Sequence, residues 1–548
     1  MPSSSFNEKL DRFDSEKLFG LKIGLEKESL RVKENGRISD QAHPQALGSP
    51  LTHPYITTDY AEALLELITP PCESSAETLD FLATTEAFVY HHLNHEKLWT
   101  TSMPCALNGE DDIQIARYGS SNIGQMKTIY RRGLGHRYGK LMQVIAGVHF
   151  NFSFPEPFWR TLHQLDKNAE HLSLRNFKDQ SYMDMIRNIQ RYGWLVIYLF
   201  GASPAISKTF LKGMPGSLSK LDQDSYYEPY ATSLRMGDIG YTNSKEGKSG
   251  IHIGYNSLAE YLATMRQAIN CPSKEYARIG IRKNGRYQQL NTNILQIENE
   301  HYSTVRPKQI LNTLEKPVDA LEQRGIEYIE LRSLDINPFC PTGLTLQQLH
   351  FLEVFMSFCL FKDSPTMSPD ENKELNLNQL LVAHQGRQPG LELHRSGRLV
   401  LLKDLAKQIF EQLTAMAGKM DQTYACERYS QAVRAHYDMI ENPDLTPSAQ
   451  VLGEMREKQE SFMAFTLRKS CQHRDFYLSH KMDSEKFRFY NQISRESLLQ
   501  QQSIEEQEVI DFEKFMDAYQ NPISKDSVGP YKNENIKNNE SEQIYSEY

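Results

Sequence analysis

The sequence predicts an α+β fold, with a sheet-rich stretch over residues 20–340 and a mostly helical stretch over residues 341–520. Three observations point to it. Five segments before residue 340 alternate polar and apolar residues at the period of two that a half-buried strand requires. After about residue 345 the apolar spacing becomes helical, as in LQQLHFLEVFMSFCLF, RLVLLKDLAKQIFEQL and YSQAVRAHYDMI. No regular alternation of strand and helix occurs, so a βαβ winding is not expected.

The elements follow in order. Residues 1–20 read as a short polar helix and residues 21–70 as strands and turns. Residues 74–98 have helical spacing. QVIAGVHFNFSF at residues 143–154 alternates strongly and predicts a strand. Residues 180–200 predict a helix that GASPA ends. Residues 290–302 and 325–336 predict two more strands. The spacing contains no internal repeat. Residues 1–520 are expected to form one catalytic body. From Asn521 to Tyr548 the apolar pattern is lost, and a flexible polar tail is expected.

Composition bounds the class. Hydrophobic residues make up 39% of the 548, which is enough to bury a core. Lys and Arg total 61 against 70 Asp and Glu, a net charge of −9, which disfavours nucleic acid as a partner. The seven cysteines include no CxxC pair and are odd in number, as expected in a reducing compartment. The first twenty residues contain no apolar signal region, and no run of about 18 apolar residues occurs. A cytoplasmic protein without a membrane span is expected.

Several common motifs are missing. GLGHRYGKL at residues 133–141 has the wrong glycine spacing for a phosphate-binding loop, and Leu141 follows the Lys. Neither GxGxxG after a strand nor GxSxG is present. HHLNHE at residues 91–96 has neither zinc-helix order, so a solvated helix face is expected there.

The carboxylates carry more information. In LKIGLEKESLRV, Glu26 and Glu28 are two apart and share a strand face. Like charges so placed repel, unless a divalent cation sits between them. A lone pair of this kind also fits a solvated edge strand. Four further segments shift the balance. TTDYAEALLELITP carries Asp59, Glu62 and Glu66. GVHFNFSF places His149, Asn151 and Ser153 on one face. GIEYIELRSLD aligns Tyr328, Glu330 and Arg332. NILQIENEHY aligns Gln296, Glu298, Glu300 and Tyr302. If these polar faces share one sheet, they line a cavity rich in carboxylates. Such a cavity suits Mg²⁺ or Mn²⁺ with ATP, because the metals bridge carboxylates to phosphates.

Ten blocks then follow one another in order, among them GLEKESLRV, YGSSNIGQMKTIYRRGL, RYGKLMQVIAGVHFNFSFP, YATSLRMGDIGYTN and GIEYIELRSLDINPF. Together they closely resemble the bacterial type 1 glutamate–cysteine ligase family, from about residue 20 to about residue 450. The resemblance implies a glutamine-synthetase-like fold, a curved antiparallel sheet forming a funnel with helices packed outside. It implies formation of γ-glutamylcysteine from L-glutamate, L-cysteine and ATP through a γ-glutamyl phosphate, the first step of glutathione synthesis. Glu26, Glu28, Asp59, Glu66, His149 and Glu330 match the family's metal positions. Arg332 matches a phosphate contact. Arg332, Glu28 and Glu330 are the residues expected to carry catalysis. Tyr60, Tyr130, Leu134, Gln143, Tyr241 and Tyr302 match positions around the cysteine substrate, and Arg235 one that holds a substrate carboxylate. Tyr60 stands where the family is associated with Phe. Inhibition by glutathione is implied, and a monomer is expected. Two alternatives stay open: a related carboxylate–amine ligase with another amine acceptor, and a non-catalytic homologue that binds amino acid or nucleotide.

Overall fold

The structure is a computed structural model that describes residues 6–12, 20–211, 218–240, 251–479 and 481–520. Its main sheet has seven strands. Along the path they run Val305–Lys308, Tyr328–Leu334, Val148–Ser153, Lys22–Val32, Leu64–Ile68 and Ile56–Thr58. Lys97–Leu98 pairs with the end of Lys22–Val32. Every pairing is antiparallel.

The alternation in the sequence sorts the two faces. Ile23, Leu25, Leu65, Leu67, Phe150, Phe152, Ile329 and Leu331 are each at most 1% exposed, so burial of these chains drives the assembly of one face. Helices Ser75–His92, Leu174–Tyr192 and Trp194–Phe200 pack there, with Leu346–Phe361 behind the first two. The opposite face carries the acidic residues and most of the basic ones. The α+β fold with antiparallel strands and outer helices is the one expected. No helix among the described residues is long and apolar enough to cross a membrane.

Several elements differ from expectation. Residues 290–302 form no strand. The segment is a loop with one 3₁₀ turn, Glu298–Glu300, because its polar side chains bind local groups. Glu300 accepts from Gln296 N at 2.6 Å and pairs with Arg137 at 2.8 Å, and Gln296 accepts from Leu290 N at 3.0 Å. The helix expected to reach residue 98 stops at His92, and Asn94 then takes a left-handed φ of 52°. The alternating segment 143–154 is a strand only over Val148–Ser153, after a 3₁₀ turn at Met142–Val144. The segment expected as one helix over 180–200 is two, parted at Gly193. In RLVLLKDLAKQIFEQL the first four residues form a hairpin strand with Glu392–Arg395, and the helix begins at Leu402. GLGHRYGKL lies mostly in helix Asn122–Tyr138. The tail from Asn521 lies outside the described residues, as does Tyr241.

Candidate active site: a carboxylate cluster on the polar face of the sheet

Register, more than sequence spacing, assembles the site. Glu26 lies opposite His149, Glu28 opposite Glu66, and Glu330 opposite both Asn151 and Arg306. Five strands therefore deliver their polar side chains to one patch. Asp59 joins from the turn after Ile56–Thr58. Its carbonyl accepts from the Tyr118 hydroxyl at 3.0 Å and from Arg131 Nε, which fixes the turn.

The centre of the patch is closely bonded. His149 Nδ1 lies 2.9 Å from Glu26 Oε2 and 3.2 Å from Glu330 Oε1, and Nε2 lies 3.7 Å from Glu28 Oε1. Asn151 Nδ2 donates to Glu26 Oε1 at 2.7 Å, and Gly147 N donates to Glu28 Oε2 at 2.7 Å. Arg332 pairs with Glu330, and Lys308 Nζ stands 3.4 Å from the other Glu330 oxygen. Glu26, Glu28, His149 and Glu330 are all buried.

Charge decides how these carboxyls behave. Burial, and then the charge of Asp59, pushes Glu28 up to about 8. Burial followed by Asp59, Glu26 and Glu28 raises Glu66 well above the usual carboxylate range. Burial also opposes ionisation of Glu330, but Arg332, Lys308, His149 and Arg306 outweigh it and hold this carboxyl well below that range. Burial is likewise overcome at Glu26, chiefly by the His149 hydrogen bond. Burial and Arg332 lower His149, which favours a neutral ring. A neutral ring that donates from Nδ1 to Glu26 presents the Nε2 lone pair to a cation.

Ligand atoms of Glu26, Glu66 and His149 all lie within 4.8 Å of one another. Raised carboxyls that repel, oxygen donors and a neutral imidazole fit a hard divalent cation.

The remaining expected residues divide into groups. Helix Asn122–Tyr138 sets Tyr130 and Leu134 one turn apart, both buried. Gln143 Nε2 and the Tyr302 hydroxyl are hydrogen-bonded at 2.8 Å. The Tyr60 ring is buried, its hydroxyl has no hydrogen-bond partner among the described residues, and a Cβ at Gly135 would lie 2.5 Å from that oxygen. Arg235 is buried, donates to the Arg332 carbonyl at 2.8 Å and lies 3.6 Å from Asp335. A Cβ at Gly147, just before strand Val148–Ser153, would sit 2.1 Å from its guanidinium, so any larger residue there would push Arg235 aside.

Other sequence candidates lie elsewhere. Glu62 accepts from His43 N at 3.0 Å and Arg117 N at 2.9 Å and so ties two loops together. Glu300 pairs with Arg137, both fully buried, instead of facing the cluster. His91 and His92 end their helix, and His95 is exposed beside Glu34.

Sequence reasoning missed Lys308, Arg306 and Arg131. The signal for the first two was VRPK, where Arg306 and Lys308 share a strand face across from Glu330 and Tyr328. Arg306 and Lys308 also line a small cavity of about 50 Å³ together with Tyr261, Glu298, Val318 and Tyr328.

This geometry has known relatives. A family model described as glutamate-cysteine ligase matches residues 8–382. A glutamate–cysteine ligase of Pseudomonas entomophila (strain L48) is 46% identical over 500 residues, 91% of this chain and 94% of its own. One from Pseudomonas aeruginosa (strain UCBPP-PA14) is also 46% identical over 500 residues, with the same coverage of both chains. The crystal structure of glutamate–cysteine ligase from Francisella tularensis in complex with AMP matches with a TM-score of 0.86 at 36% identity, covering 92% of this chain and 98% of that one. A bifunctional glutathione synthetase from Pasteurella multocida shares the fold, with a TM-score of 0.69 at 24% identity over 88% of this chain and 57% of that one. Matched by the family model over residues 8–382 and 46% identical to such ligases over 91% of its length, the chain belongs to the glutamate–cysteine ligase family.

Proposed function

We propose that this chain joins the amine of L-cysteine to the γ-carboxyl of L-glutamate, converting ATP to ADP and phosphate. Family membership supports the overall reaction. The observation that carries the site assignment is the convergence of Glu26, Glu28, Glu66, His149 and Glu330 on one buried polar face.

A free carboxylate is a poor acyl donor, because oxide would have to leave. Transfer of the γ-phosphoryl group to the glutamate side chain gives an acyl phosphate, from which phosphate can leave. The cysteine amine then attacks the acyl carbon, the tetrahedral intermediate collapses, and the C–O bond to phosphate breaks. Glu26, Glu28, Asp59, Glu66, His149 and Glu330 would hold Mg²⁺, or Mn²⁺ in its place. Held there, such a metal would supply positive charge that offsets the charge of the transferring phosphoryl group. Arg332, fixed by Glu330, presents its guanidinium to the transferring phosphoryl group. His149 keeps its Nδ1 proton on Glu26 and orients that carboxylate. Lys308 and Arg306 extend the cationic edge of the site beyond Glu330. Tyr60, Tyr130, Leu134, Gln143, Tyr241 and Tyr302 would form the acceptor pocket, and Arg235 would face a substrate carboxylate.

The same reading carries a cytoplasmic monomer with one catalytic body over residues 1–520 and feedback inhibition by glutathione. The deciding experiment is ADP release with glutamate, cysteine, ATP and Mg²⁺, omitting each in turn. Full activity needs all four. No stimulation by cysteine, together with stimulation by another amine, would replace the assignment with a related ligase.

A further inference from the structure

Between the two proposed metal carboxylates lies a residue that points the other way. Glu26 and Glu28 face the cluster, so Lys27 passes through the sheet into the layer beneath it. There Lys27 Nζ forms a 2.7 Å ion pair with Glu86 Oε1 and donates to the Pro341 carbonyl at 3.0 Å. The two side chains are 4% and 1% exposed. Glu86 belongs to helix Ser75–His92, which packs on this strand. The loop after strand Tyr328–Leu334 closes over the lysine stem. Gly343 has a φ of 77°, and a Cβ there would lie 3.1 Å from Lys27 Cε.

An ion pair in this place needs a reason. Two well-packed apolar residues would serve stability as well or better, because buried charges lose their hydration. Leu25 and Leu67 do that on the same face. What an ion pair adds is direction: a charged nitrogen must meet one oxygen at one distance. A strand free to shift by a fraction of a residue would move Glu26 and Glu28 together, and both must meet ligands from other strands.

We propose that Lys27 and Glu86 are positioning residues for the metal-binding strand: their ion pair, clamped by Pro341 and Gly343, fixes the depth and register of Glu26 and Glu28. This proposal rests on the assignment of Glu26 and Glu28 as metal ligands. The pair touches neither substrate nor metal, and acts only through the backbone it anchors.

The test is the double variant Lys27→Met/Glu86→Gln, which removes both charges and leaves neither one buried alone. Circular dichroism and thermal melting check its fold. Mn²⁺ binding to the full chain, measured by calorimetry and by electron paramagnetic resonance, reads the site without turnover, and the Mg²⁺ concentration for half-maximal activity reads it in the reaction. We expect a melting midpoint near that of the parent, Mn²⁺ affinity weakened about tenfold, as for residues that orient metal ligands, and kcat largely recovered at saturating Mg²⁺. The single variant Lys27→Met, which strands Glu86, should lose stability as well. Parental Mn²⁺ affinity in a folded double variant would overturn the proposal. Failure of the double variant to fold would also overturn it, by assigning the pair to folding. Glu28→Gln separates the two layers: if that change leaves Mn²⁺ affinity intact, the metal assignment fails; if it weakens binding while the double variant does not, only the positioning role fails.

Discussion

Glu28 stands directly opposite Glu66 in the antiparallel pairing of Lys22–Val32 with Leu64–Ile68, two carboxyl groups on one buried face. Burial and then the charge of Asp59 push Glu28 up to about 8, and burial followed by Asp59, Glu26 and Glu28 raises Glu66 well above its usual range. An acid raised in the folded state binds more protons folded than unfolded. Its stabilising contribution is therefore complete at low pH and is lost as pH rises toward the folded value. Without divalent metal, the melting midpoint should fall by several degrees between about pH 5 and about pH 8. Below about pH 5 the lowered groups Glu330 and Glu26 act in the opposite sense, and stability falls again as they protonate. Mg²⁺ should flatten the slope on the alkaline side. Melting curves with and without EDTA across that range check it, and a flat metal-free profile would refute the repulsion.

Removing one member of the pair separates stability from function. Glu66→Gln keeps the shape and deletes a charge. The metal-free protein should gain about 1 kcal/mol or more, as expected when like charges facing across strands are relieved. Activity at fixed Mg²⁺ should fall at least a hundredfold, the scale of a lost electrostatic contact in a catalytic site. Chemical denaturation and steady-state rates measure the two effects, and parental activity would remove Glu66 from the site.

Arg332 leans on Glu330, so its charge alone does not define its role. Arg332→Lys retains the cation but loses the planar fork that meets two oxygens at once. We expect kcat to drop by about two to three orders of magnitude, with the KM for cysteine within about threefold. Initial rates over a cysteine series distinguish this from a binding defect, in which KM alone would rise.

Tyr60 buries a hydroxyl with no hydrogen-bond partner among the described residues. Such an oxygen costs desolvation and receives no hydrogen bond in return. Tyr60→Phe should leave stability unchanged or raise it by about 1 kcal/mol. Denaturant midpoints test this. A loss of stability would show that the hydroxyl has a bonded partner in solution.

Much of this was legible in the chain. The alternation in GLEKESLRV, GVHFNFSF and GIEYIELRSL maps onto strands Lys22–Val32, Val148–Ser153 and Tyr328–Leu334, with Glu26, Glu28, His149 and Glu330 on the polar side. The same rule misled at NILQIENEHY, because Gln296 and Glu300 satisfy nearby backbone groups and Arg137 without any strand partner. Side-chain parity does not reveal whether an adjacent strand exists.

Local spacing by itself determined which residues share a face, where most helices run, and that paired carboxylates needed a cation or a partner. It could do so because periodicity is a property of neighbours along one chain. Only the tertiary structure decided which faces meet. Glu28 meets Glu66, Glu330 meets Arg306, and Lys27 reaches Glu86 through register between segments tens of residues apart. Register follows from burial of the common apolar face, a sum over many side chains that no single segment contains.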